Sequence, residues 1–114
     1  MNINNPLLIL TTVSSKKEGE RIASKLVDNK LAACVNILPQ MTSFYRWENK
    51  IHNENEFLLT IKTAKYLEQE VYDYIRDNHS YEVPEIITLD IKNIDKKYFK
   101  WLNSCIKKMN NGKD

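Results

Sequence analysis

The sequence predicts one α+β domain over residues 1–114, with the element order β-α-β-β-α-β-α. Four segments are apolar and rich in β-branched or aromatic residues, and three others repeat apolar residues at helical spacing. One extended segment is long enough to form a protruding hairpin. A chain of 114 residues has room for one hydrophobic core but not for two.

The first strand and helix follow directly from local pattern. Residues 7–13 form a short apolar and β-branched run, which is typical of a central strand. Ser15 and Glu18 have capping-box spacing, and apolar residues then recur every three or four positions. The pattern predicts a helix over residues 16–29.

The most informative stretch is residues 32–47, which is expected to be extended almost throughout. Pro39 marks a bend or bulge within it. Asn49 tolerates the left-handed backbone of a tight turn, and residues 51–62 return as a strand. Sixteen extended residues would span about 53 Å, whereas a compact chain of this size has a radius of gyration near ~13 Å, so the hairpin is expected to protrude as an arm.

The second half predicts a helix, a strand and a short terminal helix. Thr63 is the expected N-cap of a helix whose apolar residues include Leu67, Val71 and Ile75 and which ends at Asn78. A final strand is expected over residues 85–93, and a last helix over residues 96–107.

This order is that of a ferredoxin-like split β-α-β sandwich, in which two helices cover one face of a four-stranded antiparallel sheet. The opposite face should be uncovered, although alternate positions on its strands are apolar. A lone two-stranded arm is also marginal in water. We therefore predict a homo-oligomer joined through arm residues Phe44, Tyr45, Trp47 and Ile51.

Composition excludes several classes. The chain is 42% hydrophobic and 28% charged, with a formal net charge of +2 and no membrane-length apolar run. Its charges are scattered, so neither a nucleic acid nor a membrane is an expected partner. The amino-terminal residues lack the features of a signal peptide, which favours a cytoplasmic location.

Four segments resemble the CutA divalent-cation tolerance proteins: residues 31–37 (LAACVNI), 43–47 (SFYRW), 61–63 (IKT) and 81–86 (YEVPEI). Tyr98 and Trp101 fit the same pattern. The resemblance implies a ferredoxin-like homotrimer with a non-catalytic binding or regulatory role in divalent-metal tolerance. It implies no obligatory cofactor, with Cu²⁺ or another divalent metal as the candidate ligand.

The metal ligands are the main departure from that family. Members proposed to bind copper have a cysteine near the end of the first strand and a histidine pair after the second helix, where this chain has Thr11, Asn78 and His79. His79 is therefore the candidate metal ligand, with Glu82 or Glu85 nearby. The alternative is that His79 only caps the end of the helix.

A second candidate site is a cleft between subunits. Lys62 and Glu85 lie in the segments that resemble the family, and with Trp47 and Tyr81 they are expected to line such a cleft. A structural role in ion pairing and packing is the alternative for these residues. The arm aromatics likewise fit either ligand stacking or subunit packing.

Two other functions remain open: a trimeric sensor of a small anionic metabolite, like the PII signalling proteins, and a scaffold for another protein. No enzyme is predicted. An acylphosphatase needs a phosphate-binding loop with an arginine after the first strand, but residues 12–17 contain no glycine and Arg21 lies inside the helix. The third strand lacks the aromatic and basic pattern of an RNA-recognition domain, and Cys34 and Cys105 form no Cys-x-x-Cys motif.

Overall fold

A computed structural model describes residues 4–109. Among these residues, five strands and three helices follow one another, with one 3-10 turn, Lys65–Leu67, before the second helix. The elements are β1 Pro6–Val13, α1 Lys16–Asp28, β2 Cys34–Ile37, β3 Met41–Trp47, β4 Lys50–Ala64, α2 Glu68–Asn78, β5 Ile86–Asp90 and α3 Lys96–Cys105.

The sheet has the order β2-β4-β1-β5, and every pairing is antiparallel. Strand β3 pairs only with the first half of β4, from Met41 opposite Glu56 to Trp47 opposite Lys50. Each of the two central strands is followed along the chain by a helix that covers the sheet: β1 by α1, and β4 by α2. This topology confirms the predicted ferredoxin-like sandwich with a hairpin arm.

One hydrophobic core lies between the sheet and the helices. Each large aliphatic side chain withdrawn fully from water contributes about 1.5–3 kcal/mol. At Gly19, an added Cβ would lie 3.2 Å from side-chain carbons of Leu59 and Val13, so α1 approaches the sheet too closely for an unadjusted side chain. Fully buried core members include Ile9, Leu59 and Ile61 of the sheet, Ile22 and Leu26 of α1, and Val71 and Ile75 of α2.

Three local predictions differ from the structure in their bounds. The extended stretch is divided at residues 38–40, because Pro39 has no N–H to donate to a strand partner, and strand β2 begins only at Cys34. Thr63 does not cap a helix. It lies inside β4, fully buried, and its hydroxyl donates to the Leu31 carbonyl oxygen at 2.7 Å. The final strand is also shorter than expected, at Ile86–Asp90.

The arm is a regular hairpin that extends from the body of the domain. Its two turn residues, Glu48 and Asn49, have φ of 50° and 63°, which is the left-handed pair of a tight hairpin turn. The chain measures 50 × 28 × 27 Å along its principal axes, so the predicted protrusion is confirmed. Phe44 and Ile51 on the arm are 72% and 68% exposed.

The sheet face opposite α1 and α2 is apolar only in part. Leu10 on β1 has Ile87 of β5 as one cross-strand neighbour and Thr60 of β4 as the other. The Thr60 hydroxyl donates to the side-chain oxygen of Asn36 on the neighbouring strand β2. The expected apolar alternation therefore does not extend over all four strands. The apolar patch is centred on β1 and β5, where Ile87 and Leu89 are each 46% exposed.

Candidate functional site

A buried hydrogen-bond network joins the start of α1 to the segment after α2. The Glu18 carboxylate is 7% exposed and accepts from the Ser80 amide at 2.8 Å and the Ser80 hydroxyl at 3.0 Å. The Ser14 hydroxyl donates to it at 3.2 Å. Burial raises the pKa of Glu18, but the hydrogen bonds from Ser80 and Ser14 outweigh it, so the pKa lies below its ordinary value.

His79 is the C-cap of α2, and its side chain is fully buried. Nε2 donates to the Thr12 carbonyl oxygen at 2.7 Å, and Nδ1 accepts from the Tyr81 amide at 2.9 Å. Since a carbonyl can only accept and an amide N–H can only donate, this geometry assigns the neutral ring with its proton on Nε2. Nδ1 also lies 3.6 Å from a Glu18 oxygen.

Both ring nitrogens of His79 are therefore engaged in hydrogen bonds. A metal ion at either nitrogen would have to displace Thr12 or Tyr81 as the partner of the ring. Within residues 4–109, no group of three or more His, Cys, Asp or Glu side chains is placed to hold a metal ion. The capping alternative accounts for where His79 lies, and its role as a metal ligand stays a prediction.

Tyr81 connects this network to the arm. Its hydroxyl donates to the Glu56 carboxylate at 2.8 Å, and Glu56 is only 7% exposed. Burial raises the pKa of Tyr81, and the hydrogen bond and negative charge of Glu56 raise it further, so the phenol remains protonated as a donor. Glu56 is the strand residue opposite Met41, at the base of the arm.

A cleft of about 860 Å³ opens between the arm and the segment after α2. Within the described part of the chain, no lysine or arginine lines it. Its walls combine four aromatic side chains, Phe44, Tyr45, Trp47 and Tyr81, with three carboxylates, Glu56, Glu82 and Glu85, and with Thr12, Ser43, Ser80, Val83 and Pro84.

The structure brings together three of the four residues expected to line a ligand cleft. Trp47, Tyr81 and Glu85 all line it, from three separate segments of the chain. Lys62 does not line it within one chain, and its place in a cleft between subunits stays a prediction. Its Nζ lies 5.9 Å from the ring centroid of Tyr98 on α3.

Sequence reasoning missed Glu56 and Glu18. Glu56 was overlooked because a glutamate in a strand is ordinarily solvated. A signal was present in Glu18, which occupies the capping-box position. The N-cap half of that motif forms, because the Ser15 hydroxyl accepts from the Glu18 amide at 3.1 Å, but the carboxylate turns towards Ser80.

The oligomer-interface residues all lie on the arm. Phe44, Tyr45, Trp47 and Ile51 are between 42% and 72% exposed, so the single chain leaves them accessible to a neighbour. Tyr45 stacks on His52, with ring centroids 5.6 Å apart. Whether another chain covers these side chains stays a prediction.

No helix among residues 4–109 combines the length and apolarity needed to cross a membrane. Cys34 and Cys105 are free thiols, each half-buried. Cys105 packs against the core, as expected of a small hydrophobe, whereas the sulfur of Cys34 lies 4.0 Å from the Asn36 side-chain oxygen.

Comparison with known proteins agrees with this fold. The family model described as CutA1 divalent ion tolerance protein matches residues 7–105. A rice (Oryza sativa subsp. japonica) relative named Protein CutA 1, chloroplastic, is 42% identical over 98 residues, covering 86% of this chain and 55% of the relative. The chain thus spans about half the length of this curated plant relative. The divalent-cation tolerance protein CutA of Yersinia pestis is 34% identical, with 93% and 89% of the two chains covered.

Solved structures give the same result. CutA1 from Oryza sativa superposes with a TM-score of 0.89 at 39% identity, covering 92% of this chain and 96% of the other. The periplasmic divalent cation tolerance protein CutA from Archaeoglobus fulgidus gives a TM-score of 0.87 at 37% identity, with 90% and 99% covered. Because family match, sequence identity and topology coincide over nearly the whole described chain, this protein belongs to the CutA1 divalent ion tolerance family.

Proposed function

We propose that this chain acts in divalent-metal tolerance as a non-catalytic homotrimer, with copper as the candidate metal. The observation that carries the proposal is the family match over residues 7–105. The relatives' names refer to divalent cations and not to a reaction. The exposed aromatic arm and the apolar patch on β1 and β5 support assembly, since a monomer would leave both in water.

The acidic lining of the cleft bears on one alternative, the sensor of a small anionic metabolite. Three carboxylates line the cleft, and Lys62 lies elsewhere. Such walls repel an anion and attract a cation, so they favour a cationic ligand over the small anionic metabolite of a PII-like sensor. A scaffold role would leave the cleft unused.

Location belongs to the same proposal. We keep the cytoplasm as the expected compartment, although the rice relative is named chloroplastic and the Archaeoglobus fulgidus structure is described as periplasmic. Fractionation of the source cells, with detection of the untagged chain, tests the compartment.

Native mass spectrometry, with and without a modest excess of Cu²⁺ or Zn²⁺, tests assembly and metal uptake together. We expect a mass three times that of the 13.5 kDa chain and a whole number of metal ions per trimer. His79→Ala should abolish the uptake if His79 is a ligand, whereas His52→Ala, which changes the other histidine of the chain, should not.

The same spectra contain the contradicting outcomes. A monomeric mass contradicts the assembly. Equal uptake in wild type and His79→Ala excludes His79 as the ligand, and loss in His52→Ala alone places the site on the arm. Because His79→Ala also removes two buried hydrogen bonds, His79→Gln and a circular dichroism spectrum of each variant separate lost binding from lost folding.

A further inference from the structure

Glu56 is a buried carboxylate with a neutral partner. Its side chain accepts from the Tyr81 hydroxyl, and the residue is 93% withdrawn from solvent. Within residues 4–109, no lysine, arginine or histidine forms an ion pair with it. A buried carboxylate without a compensating cation is costly, so this position favours a positive charge supplied from outside the chain.

The walls around Glu56 suit a particular kind of cation. Trp47, Tyr45 and Tyr81 line the same cleft, and aromatic faces attract ammonium and guanidinium groups through the negative charge of the ring face. Glu82 and Glu85 add negative charge at exposed positions. The pKa of Tyr45 is raised by desolvation and then by Glu54 and Glu56, which agrees with a negative potential along this wall.

A bare metal ion does not explain the cleft as well. The described residues contain no group of three or more side chains placed to hold such an ion. The volume of about 860 Å³ lies within the ~300–1,000 Å³ typical of sites for small organic molecules. Aromatic walls contribute nothing to the oxygen and nitrogen coordination that divalent ions need, but they contact an aliphatic stem well.

We infer that this cleft binds an organic cation, an ammonium or guanidinium group on an aliphatic stem, with Glu56 as its buried counter-ion. The aromatic wall packs against the stem, and the exposed carboxylates attract the cation towards the opening. The same chemistry has two sources: a free amine, or a basic side chain from a second copy of this chain. The free amine is the occupant inferred here, because the cleft has the volume of a whole small molecule. This occupant requires the cleft to stay open when the arm aromatics contact a neighbouring chain in the proposed trimer.

The test titrates the full chain with 1,5-diaminopentane and follows Trp47 fluorescence. Trp101→Phe makes Trp47 the only tryptophan, since the chain contains two. We expect a saturable change in fluorescence, with an affinity for the diamine that falls as salt is added. No change is expected with 1,5-pentanediol, which has the same stem without charge. Glu56→Gln should weaken binding about tenfold or more, because it removes the charge and keeps an acceptor for Tyr81.

Matched variants keep the result interpretable. Glu20→Gln makes the same charge change at an exposed position of α1 and should bind the diamine like the parent. If Glu56→Gln fails to fold, Glu85→Gln, at an exposed position of the cleft, should weaken binding by a smaller factor. No saturable binding by the parent, or equal binding by the cleft variants and Glu20→Gln, overturns the inference.

Sedimentation velocity on the same samples separates the two sources. If the parent binds no diamine but Glu56→Gln loosens the association of chains, a basic side chain of a second copy occupies the cleft and the free-ligand inference is overturned. This result is independent of the proposed metal role, because metal uptake is measured by mass and requires no amine. Either idea can therefore fail while the other stands.

Discussion

The two halves of strand β4 differ in what holds them in place. From residue 57 to residue 64 the strand pairs with β1, and residues 59–62 also pair with β2 on the other side; Leu59, Ile61 and Thr63 are fully buried. From residue 50 to residue 55 it pairs only with β3, and most of its side chains are exposed. The inner half is thus fixed by the core of its own chain, whereas the outer half has one partner strand and projects into solvent.

This difference shows where single-chain physics is sufficient. Burial of alternate aliphatic residues specifies the register of the inner half, because a slip by one position would turn Lys62 into the core. In the outer half the register is specified by the tight turn at Asn49, and the exposed aromatics contribute little until something covers them. Variants in the two halves should therefore behave differently.

The largest expected effect comes from shortening one isoleucine to alanine in each half of β4. Ile61→Ala should lower the free energy of unfolding by about 3 kcal/mol, because it leaves a cavity in the core. Ile51→Ala removes the same atoms from a side chain that is 68% exposed, and should change the stability of a single chain by less than about 0.5 kcal/mol.

Urea unfolding at several protein concentrations measures both variants. The decrease in the free energy of unfolding caused by Ile61→Ala should be the same at every protein concentration. Any decrease caused by Ile51→Ala should grow as chains associate. A large loss in Ile51→Ala at the lowest concentration would show that the arm is part of the monomer's stability, and would remove the contrast between the halves.

An intermediate effect is expected for Glu18→Gln, which tests the network beside the inner half. At pH 7 the variant should be less stable by about 1–2 kcal/mol, since it weakens the charge-assisted bonds from Ser80. Because the pKa of Glu18 is lowered in the folded chain, its contribution is present above the ordinary value of 4.5 and is lost as pH falls through the lower folded value.

Unfolding measured at pH 7, 5 and 3 tests this dependence. The difference in the free energy of unfolding between parent and variant should have its full size at pH 7 and pH 5, and should become smaller towards pH 3. Glu20→Gln, one exposed glutamate along the same helix, should show no comparable gap. A gap that is constant with pH would mean that Glu18 acts through its shape and not through its charge.

The smallest effect is expected at the tip of the arm. Asn49 has φ of 63°, a conformation that glycine adopts without strain, so Asn49→Gly should gain about 0.5 kcal/mol. Asn53→Gly, in the paired part of the same arm, should instead lose about 0.5–1 kcal/mol through backbone entropy. Thermal melts of both variants, referred to the parent, measure the difference, and equal shifts would contradict the turn assignment.

The fold was predictable because its signals are local. The apolar run that becomes β1, the Ser15 cap and the left-handed Asn49 each reflect a few neighbouring residues, and the helices begin or end within a few positions of their predicted bounds. The prediction that Thr63 caps a helix was wrong for the opposite reason. Its neighbours suit an N-cap, but burial beside Leu31 keeps it in the strand, and a distant contact of this kind leaves no local pattern.

The candidate site was predictable only in part. Trp47, Tyr81 and Glu85 were grouped by resemblance, and they do share one cleft. Glu56 was missed because its burial depends on Tyr81, 25 positions later in the chain, folding back over the base of the arm. Lys62 does not line this cleft within one chain, because it lies six positions beyond Glu56 on β4, about 20 Å along the strand. Its place in a cleft between subunits stays a prediction.

The bond between Tyr81 and Glu56 has a consequence for the assembled protein. This hydrogen bond connects the segment after α2, which lines the cleft, to Glu56 at the base of the arm. If the arms hold subunits together, occupancy of the cleft and association of the chains are thermodynamically reciprocal. The factor by which a ligand tightens association must equal the factor by which association tightens the ligand.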